Sequence, residues 1–113
     1  MAHIAVLGLG NWGTAIARLW LLEGHHVKGW TIEQEVYESI TMDGVNRKYL
    51  PQQSVEGLEA TMHLEEALDG VEIVVLAIPS SVKLFTPIEI FRGLPKQNQD
   101  LLPVVVSLSR SKG

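Results

Sequence analysis

Three glycines near the start of the chain have the spacing that most directly indicates chemistry. Gly8, Gly10 and Gly13 follow a short apolar run and precede a helical pattern in the segment IAVLGLGNWGTAIA. Gly8 permits a tight turn, Gly10 lets the backbone approach phosphate groups, and Gly13 allows a helix to pack closely on a strand. The first amides of the helix and its dipole favour an anion at this turn. The spacing therefore predicts a site for the diphosphate of a dinucleotide.

A second candidate site lies at the end of the next predicted strand. In dinucleotide-binding domains an acidic residue about 20 residues beyond the glycines hydrogen-bonds the ribose of the adenosine. The window 30–33 contains Thr31 and Glu33 and no arginine. A carboxylate accepts hydrogen bonds from a free ribose diol and repels a 2′-phosphate. We therefore expect Thr31 and Glu33 to contact the cofactor, with NAD favoured and NADP left open. The alternative for Glu33 is that it only begins the next helix.

Composition limits the classes of function that are open to the chain. Its 113 residues are 46% hydrophobic and 19% charged, as in one soluble globular domain. The net charge of -4 argues against nucleic-acid binding. With no cysteine and no metal-ligand spacing among the four histidines, no metal site is expected. The apolar N-terminal run is too short to span a bilayer and lacks a basic leader, so we expect no membrane insertion and a cytoplasmic location.

Strands and helices that alternate along the chain must position these residues. The first predicted helix places Trp12, Ala15, Ile16, Leu19 and Trp20 on one apolar stripe, which is expected to be its buried face. The alternation predicts an α/β fold of Rossmann type, a doubly wound and mostly parallel sheet in three layers, with ligands outside the carboxyl ends of its strands. Strands are predicted at 3–7, 26–30, 58–61, 71–78 and 103–108, helices at 12–23, 33–40, 63–68 and 80–92, and a polar loop at 43–57.

Several short motifs in a fixed order connect the sequence to a known family. They are GLGNWGTAIA at 8–17, GHxVxxW at 24–30, NRKYLP at 46–51, LEAT at 58–61, EALDG at 66–70, AIPS at 77–80, and a terminal SKG. Through them the chain resembles, over essentially its whole length, the N-terminal cofactor domain of NAD(P)-dependent glycerol-3-phosphate dehydrogenase. The resemblance implies an oxidoreductase that transfers a hydride between a nicotinamide dinucleotide and dihydroxyacetone phosphate or sn-glycerol 3-phosphate, in the synthesis of glycerophospholipids.

The resemblance also implies roles for individual side chains. Asn11 and Trp12 would lie against the dinucleotide beside the glycine turn, and Tyr49 would approach it from the loop after the second strand. Nearer the nicotinamide, the site would be closed by Pro79 and Ser80, and Lys112 would contact both cofactor and substrate. An ammonium suits that place because the substrate carries a phosphate and the reacting oxygen gains negative charge.

The family's second, helical domain has no counterpart in these 113 residues. That domain carries the general acid/base lysine and most of the site for the substrate phosphate, so residues 1–113 are expected to form a dinucleotide-binding domain without activity of its own. Apolar surface at the boundary to that domain predicts self-association. Two alternatives are a stand-alone NAD-binding or interaction module without catalysis and a related dehydrogenase, such as a ketopantoate reductase or a hydroxyacid dehydrogenase. The pair Asn11-Trp12 and the Tyr-Leu-Pro at 49–51 argue against the related dehydrogenase.

Overall fold

The computed structural model describes residues 1–77 and 103–105, and for the last three only the backbone. In chain order its elements are β1 (His3–Leu7), α1 (Asn11–Leu22), β2 (His26–Trp30), α2 (Gln34–Asp43), β3 (Val45–Asn46), β4 (Leu50–Ser54), β5 (Glu59–Thr61), α3 (Leu64–Leu68), β6 (Ile73–Leu76) and β7 (Pro103–Val105). Five strands form a parallel sheet in the order β5-β2-β1-β6-β7. This is the Rossmann-like α/β arrangement that the alternating pattern predicted.

The central strand β1 separates two hydrophobic cores. Successive side chains of a strand point to opposite faces, and Ile4 and Val6 accordingly enter one core while Ala5 and Leu7 enter the other. The first core contains side chains from α1 and α2, and the second contains side chains from α3. Helices thus cover both faces of the sheet, which confirms the three-layer, doubly wound architecture.

The buried face of α1 is not the predicted apolar stripe. Gly13, Thr14 and Ala17 are its buried residues, whereas Trp12 is 48% exposed and Leu19 is 59% exposed. The small residues decide the rotation of the helix, because they let its backbone approach the sheet more closely than large side chains would. The predicted burial of the stripe is therefore wrong for Trp12 and Leu19, and Trp20 is only partly buried against the first core.

The predicted polar loop at 43–57 contains a small antiparallel ribbon. Gly44 ends α2 in the left-handed region at φ 67°, and its N–H donates to the Ile40 carbonyl at 2.9 Å. The chain then forms β3 and β4, which pair with each other and, among residues 1–77 and 103–105, with no other strand. Pro51 is tolerated within β4 because a two-stranded ribbon has outer edges, where a missing N–H costs no ladder bond. The expectation of a loop was therefore wrong for β3 and β4.

The remaining elements lie close to their predicted bounds. The helix predicted at 33–40 begins one residue later and continues to Asp43, and the strand predicted at 58–61 begins at Glu59. The strand predicted at 71–78 is observed over Ile73–Leu76. The helix predicted at 80–92 and the end of the strand predicted at 103–108 lie outside the described residues.

Candidate functional site

The carboxyl ends of the three central strands meet at one edge of the sheet. The Gly8 N–H donates to the Trp30 carbonyl at the end of β2, with an N···O distance of 2.9 Å. The Ala77 N–H, just past β6, donates to the Leu7 carbonyl at the same distance. The glycine turn after β1 therefore lies between the ends of β2 and β6, where ligands bind in open α/β sheets.

The first and third glycines of the turn are in contact. Gly8 has φ 113°, a left-handed conformation that glycine adopts without strain. A Cβ on Gly13 would lie 1.8 Å from the Gly8 carbonyl oxygen and 3.1 Å from the Cβ of Ala77. Only a residue without a side chain fits there. Gly13 thus has the close-packing role that its spacing predicted.

Gly10 faces open space and has a different role. A Cβ on Gly10 would meet nothing within 4 Å. Gly10 is the N-cap of α1 and has no side chain that could cap the helix. The first turn of the helix contains no acidic residue. The first hydrogen bond back to Gly10 comes from the Thr14 N–H at 3.0 Å, so the amides of residues 11–13 precede any intrahelical bond. Free amides, a positive helix end and an unfilled space beside Gly10 fit a diphosphate.

The side chain of Leu9 anchors the turn to the core. Leu9 is buried, and a Cβ on Gly29 of β2 would lie 2.7 Å from both methyl carbons of Leu9. The missing side chain at Gly29 therefore makes room for Leu9. An apolar side chain pointing inward leaves the amides on the other side of the turn free to face a ligand.

Asn46 is a site residue that sequence reasoning missed. It is 0% exposed, and its Nδ2 donates to the Leu9 carbonyl at 3.0 Å and to Thr14 Oγ1 at 2.8 Å. Its Oδ1 accepts the Tyr49 N–H at 3.2 Å. One buried amide thus joins the glycine turn, α1 and the segment that leads into β4. The NRKYLP motif contains Asn46, but no rule of spacing marks an asparagine in a polar stretch as buried.

Glu33 and Tyr49 come together at the end of β2. The Tyr49 hydroxyl donates to Glu33 Oε2 at 2.7 Å. Lys48 Nζ pairs with Glu33 Oε1 and reaches Glu35 Oε1 at 3.2 Å. The hydrogen bond from Lys48, and next the one from Tyr49, lowers the pKa of Glu33 below its ordinary 4.5. The hydrogen bond that Tyr49 donates to Glu33 raises the pKa of Tyr49 above 10.0. The sequence pattern did not indicate Lys48 or Glu35.

The other predicted site residues are buried, exposed or outside the described part of the chain. Thr31 is buried, and its Oγ1 accepts the Glu33 N–H at 3.0 Å, so it shapes the turn into α2. Glu33 is the N-cap position of α2 but makes no side-chain cap, and its carboxylate instead faces Lys48 and Tyr49. Asn11 and Trp12 are exposed on the first turn of α1, beside Gly10. Pro79, Ser80 and Lys112 lie outside the described residues.

Two absences hold for residues 1–77 and 103–105. Within them no three or more acidic or histidine side chains are grouped as they would be around a metal ion. None of the helices in this part of the chain is long and apolar enough to cross a membrane.

Comparison with known proteins gives the family of the chain. The family model of the NAD-dependent glycerol-3-phosphate dehydrogenase N-terminus matches residues 3–110. A glycerol-3-phosphate dehydrogenase [NAD(P)+] of Latilactobacillus sakei is 35% identical over 109 residues, which are 96% of this chain and 32% of the relative. Relatives of the same name are matched over as little as 24% of their length, so the chain spans between about a quarter and a third of them.

Solved structures agree with this assignment. The glycerol-3-phosphate dehydrogenase of Coxiella burnetii matches with a TM-score of 0.66 and 36% identity, over 70% of this chain and 25% of that one. The enzyme of Saccharomyces cerevisiae matches with a TM-score of 0.71 and 26% identity, over 94% and 33%. The chain therefore belongs to the family of NAD-dependent glycerol-3-phosphate dehydrogenase N-termini.

Proposed function

We propose that residues 1–113 form the dinucleotide-binding domain of an enzyme that interconverts dihydroxyacetone phosphate and sn-glycerol 3-phosphate. The observation that carries the proposal is the glycine turn. Gly13 closes it against Gly8, while Gly10 leaves space beside the free amides at the start of α1. Those amides hold the diphosphate of NAD(H). The bound nicotinamide supplies or accepts the hydride.

The cluster around Glu33 receives the adenosine end of the cofactor. A carboxylate accepts hydrogen bonds from both hydroxyls of a ribose diol, and Glu33 lies at the end of β2, beside the glycine turn. NAD is therefore preferred to NADP. Thr31 shapes the turn that presents Glu33, and Tyr49 lines the same edge. Asn11 and Trp12 cover the diphosphate, and the family resemblance adds three residues nearer the nicotinamide, Pro79, Ser80 and Lys112.

Turnover requires a second, helical domain with the general acid/base. This part of the proposal is supported by the share of its relatives that the chain spans, between about a quarter and a third. The substrate is a phosphorylated triose, and the enzyme works in the cytoplasm. Exposed apolar side chains on α1 support self-association of the isolated chain, among them Trp12, Leu19 and Leu22.

Titration calorimetry with NADH and NADPH tests the proposal. We expect saturable binding of NADH by the unaltered chain. Gly10→Ala should weaken it about tenfold or more, because its Cβ displaces a hydrogen bond between the backbone and a charged phosphate. Thermal unfolding of Gly10→Ala is the control for its fold, since the added Cβ meets nothing within 4 Å and Gly10 has φ -81°, which alanine adopts without strain. Absence of heat with either nucleotide at millimolar concentration refutes the proposal.

An activity assay separates the enzyme from the alternatives. We expect the chain alone to bind NADH but not to reduce dihydroxyacetone phosphate. Rapid reduction would refute the need for a second domain. The reading frame after the codon for Gly113 then distinguishes the two remaining cases. A following helical domain with an inward-facing lysine supports the dehydrogenase, and a stop codon supports the stand-alone module.

A further inference from the structure

Lys48, a residue of the NRKYLP motif to which the family resemblance gave no role, lies beside Glu33 at the proposed ribose site. Lys48 Nζ pairs with Glu33 Oε1 and with Glu35 Oε1, the latter at 3.2 Å. The Tyr49 hydroxyl binds the other oxygen of Glu33 at 2.7 Å. Both carboxylate oxygens that would receive a ribose diol therefore already have a donor from the segment between β3 and β4.

The backbone around Lys48 is fixed relative to the glycine turn. Asn46, two residues earlier, is fully buried and bonds the Leu9 carbonyl and Thr14. The same amide accepts the N–H of Tyr49, the residue after Lys48. Lys48 thus lies between two anchored neighbours, while its side chain is 42% exposed and accessible to a ligand.

The charges of this cluster act differently on the two nicotinamide cofactors. NAD presents a ribose diol, which donates hydrogen bonds to a carboxylate. NADP presents a 2′-phosphate, which Glu33 and Glu35 repel and Lys48 attracts. The cluster holds two acidic side chains and one basic side chain, so it disfavours the phosphate without excluding it. Removal of Lys48 leaves only repulsion, whereas removal of Glu33 takes away one of the two carboxylates that pair with Lys48 and so strengthens the net attraction for the phosphate.

We propose that Lys48 is a specificity-determining residue, the cation that sets how far this site tolerates the 2′-phosphate of NADP. The inference rests on the proposed function, because it takes the edge beside Glu33 as the site of the adenosine ribose. Cofactor choice then depends on the segment between β3 and β4, which carries Lys48, as well as on the end of β2, which presents Glu33.

A charge-removal series tests the inference. The dissociation constants of NADH and NADPH are measured for the unaltered chain, Lys48→Gln, Glu33→Gln and the double variant. Attraction between an exposed ammonium and a phosphate is worth about a tenfold change in affinity at low salt. We expect Lys48→Gln to raise the ratio of the NADPH to the NADH constant about tenfold by that same attraction, with NADH little changed. Glu33→Gln should lower this ratio of dissociation constants. The double variant should not show that decrease, because it lacks the ammonium that attracts the phosphate.

Arg47→Gln is the matched control, since it removes the same charge one residue away. The Arg47 guanidinium pairs with Asp43 at 2.6 Å and is 66% exposed, so the ratio should not change. Thermal unfolding of each variant checks that the fold is intact. If the unaltered chain binds neither nucleotide, the proposed function fails and the inference fails with it. If both bind but Lys48→Gln leaves the ratio unchanged in the unaltered and Glu33→Gln backgrounds, only the role of Lys48 is refuted.

Discussion

Replacement of Gly13 by alanine is the perturbation that most severely tests the geometry of the glycine turn. The new methyl group would lie 1.8 Å from the Gly8 carbonyl oxygen, where side-chain carbons essentially never come within 3.0 Å. The turn and α1 must therefore separate by about 1.2 Å, the difference between these two distances. The opposing group is backbone, so no rotamer change can relieve the contact.

The cost follows from what this separation breaks. Gly8 is tied to Trp30 by a backbone hydrogen bond at 2.9 Å, and the new methyl group on residue 13 would also lie 3.1 Å from the Cβ of Ala77. Helix α1 must move away from a close-packed interface, and overpacking of this kind costs about 1–3 kcal/mol and occasionally more. Since the opposing atom here is backbone, we expect a loss of about 3 kcal/mol or more. A domain of this size then melts at least about 10 °C lower.

The measurement is thermal unfolding followed by circular dichroism. Gly10→Ala serves as the comparison, because nothing lies within 4 Å of its added methyl group. Its only expected cost is a weaker N-cap, about 1 kcal/mol or less. The two variants should therefore separate stability from binding: Gly13→Ala loses both, whereas Gly10→Ala loses binding with only a small loss of stability. A melting temperature of Gly13→Ala within about 2 °C of the unaltered chain, well below the shift for 1 kcal/mol, would refute the close contact of helix and turn.

Three further predictions concern the residues around this turn, and a fourth the exposed face of α1. Asn46→Ala should lower the free energy of unfolding by about 3 kcal/mol in urea titrations, because it leaves buried donors and acceptors unpaired; an unchanged midpoint would contradict this. In a Tyr37→Phe background, Glu33→Gln should return the pKa of Tyr49 toward 10.0 in an alkaline titration of phenolate absorbance, because it replaces the charged acceptor of the phenol proton with a neutral amide. The lowered pKa of Glu33 stabilises the fold above pH 4.5, and this contribution, below about 1 kcal/mol, is lost as pH falls through the folded pKa. It should be smaller in Lys48→Gln, where only the bond from Tyr49 still lowers the pKa. Sedimentation velocity should show concentration-dependent association that Leu19→Gln weakens, and a monomer at every concentration would contradict it.

The alternation of strands and helices was predictable from the sequence because parallel strands covered on both faces are continuous apolar runs. The predicted run at 3–7 ends at Gly8, and the predicted run at 71–78 lies between Gly70 and Pro79, so the sequence itself delimits each strand. The glycine turn was predictable for another reason. Each of its glycines is required for a separate steric reason. At Gly13 the reason is that a Cβ would collide with the Gly8 carbonyl oxygen.

The rotation of α1 was not predictable from hydropathy alone. Its largest apolar side chains form a stripe, but the close approach of Gly13 to the turn directs Gly13, Thr14 and Ala17 toward the sheet. A packing constraint at one end of a helix thus overrides the apolar pattern along it. The exposed position of Leu19 is the direct consequence.

Asn46 explains why a polar ribbon outside the main sheet lies beside the candidate site. Within the described part of the chain, the strands β3 and β4 pair with each other and with no strand of the five-stranded sheet, which does not need them for its own hydrogen bonds. What they contribute is position. The Asn46 amide donates to Leu9 in the glycine turn and accepts from Tyr49, which in turn donates to Glu33. A side chain that both donates and accepts is required at this junction, and no apolar residue could make the connection. The glycine turn and Glu33, the two ends of the proposed site, are therefore joined by hydrogen bonds that hydropathy patterns cannot encode.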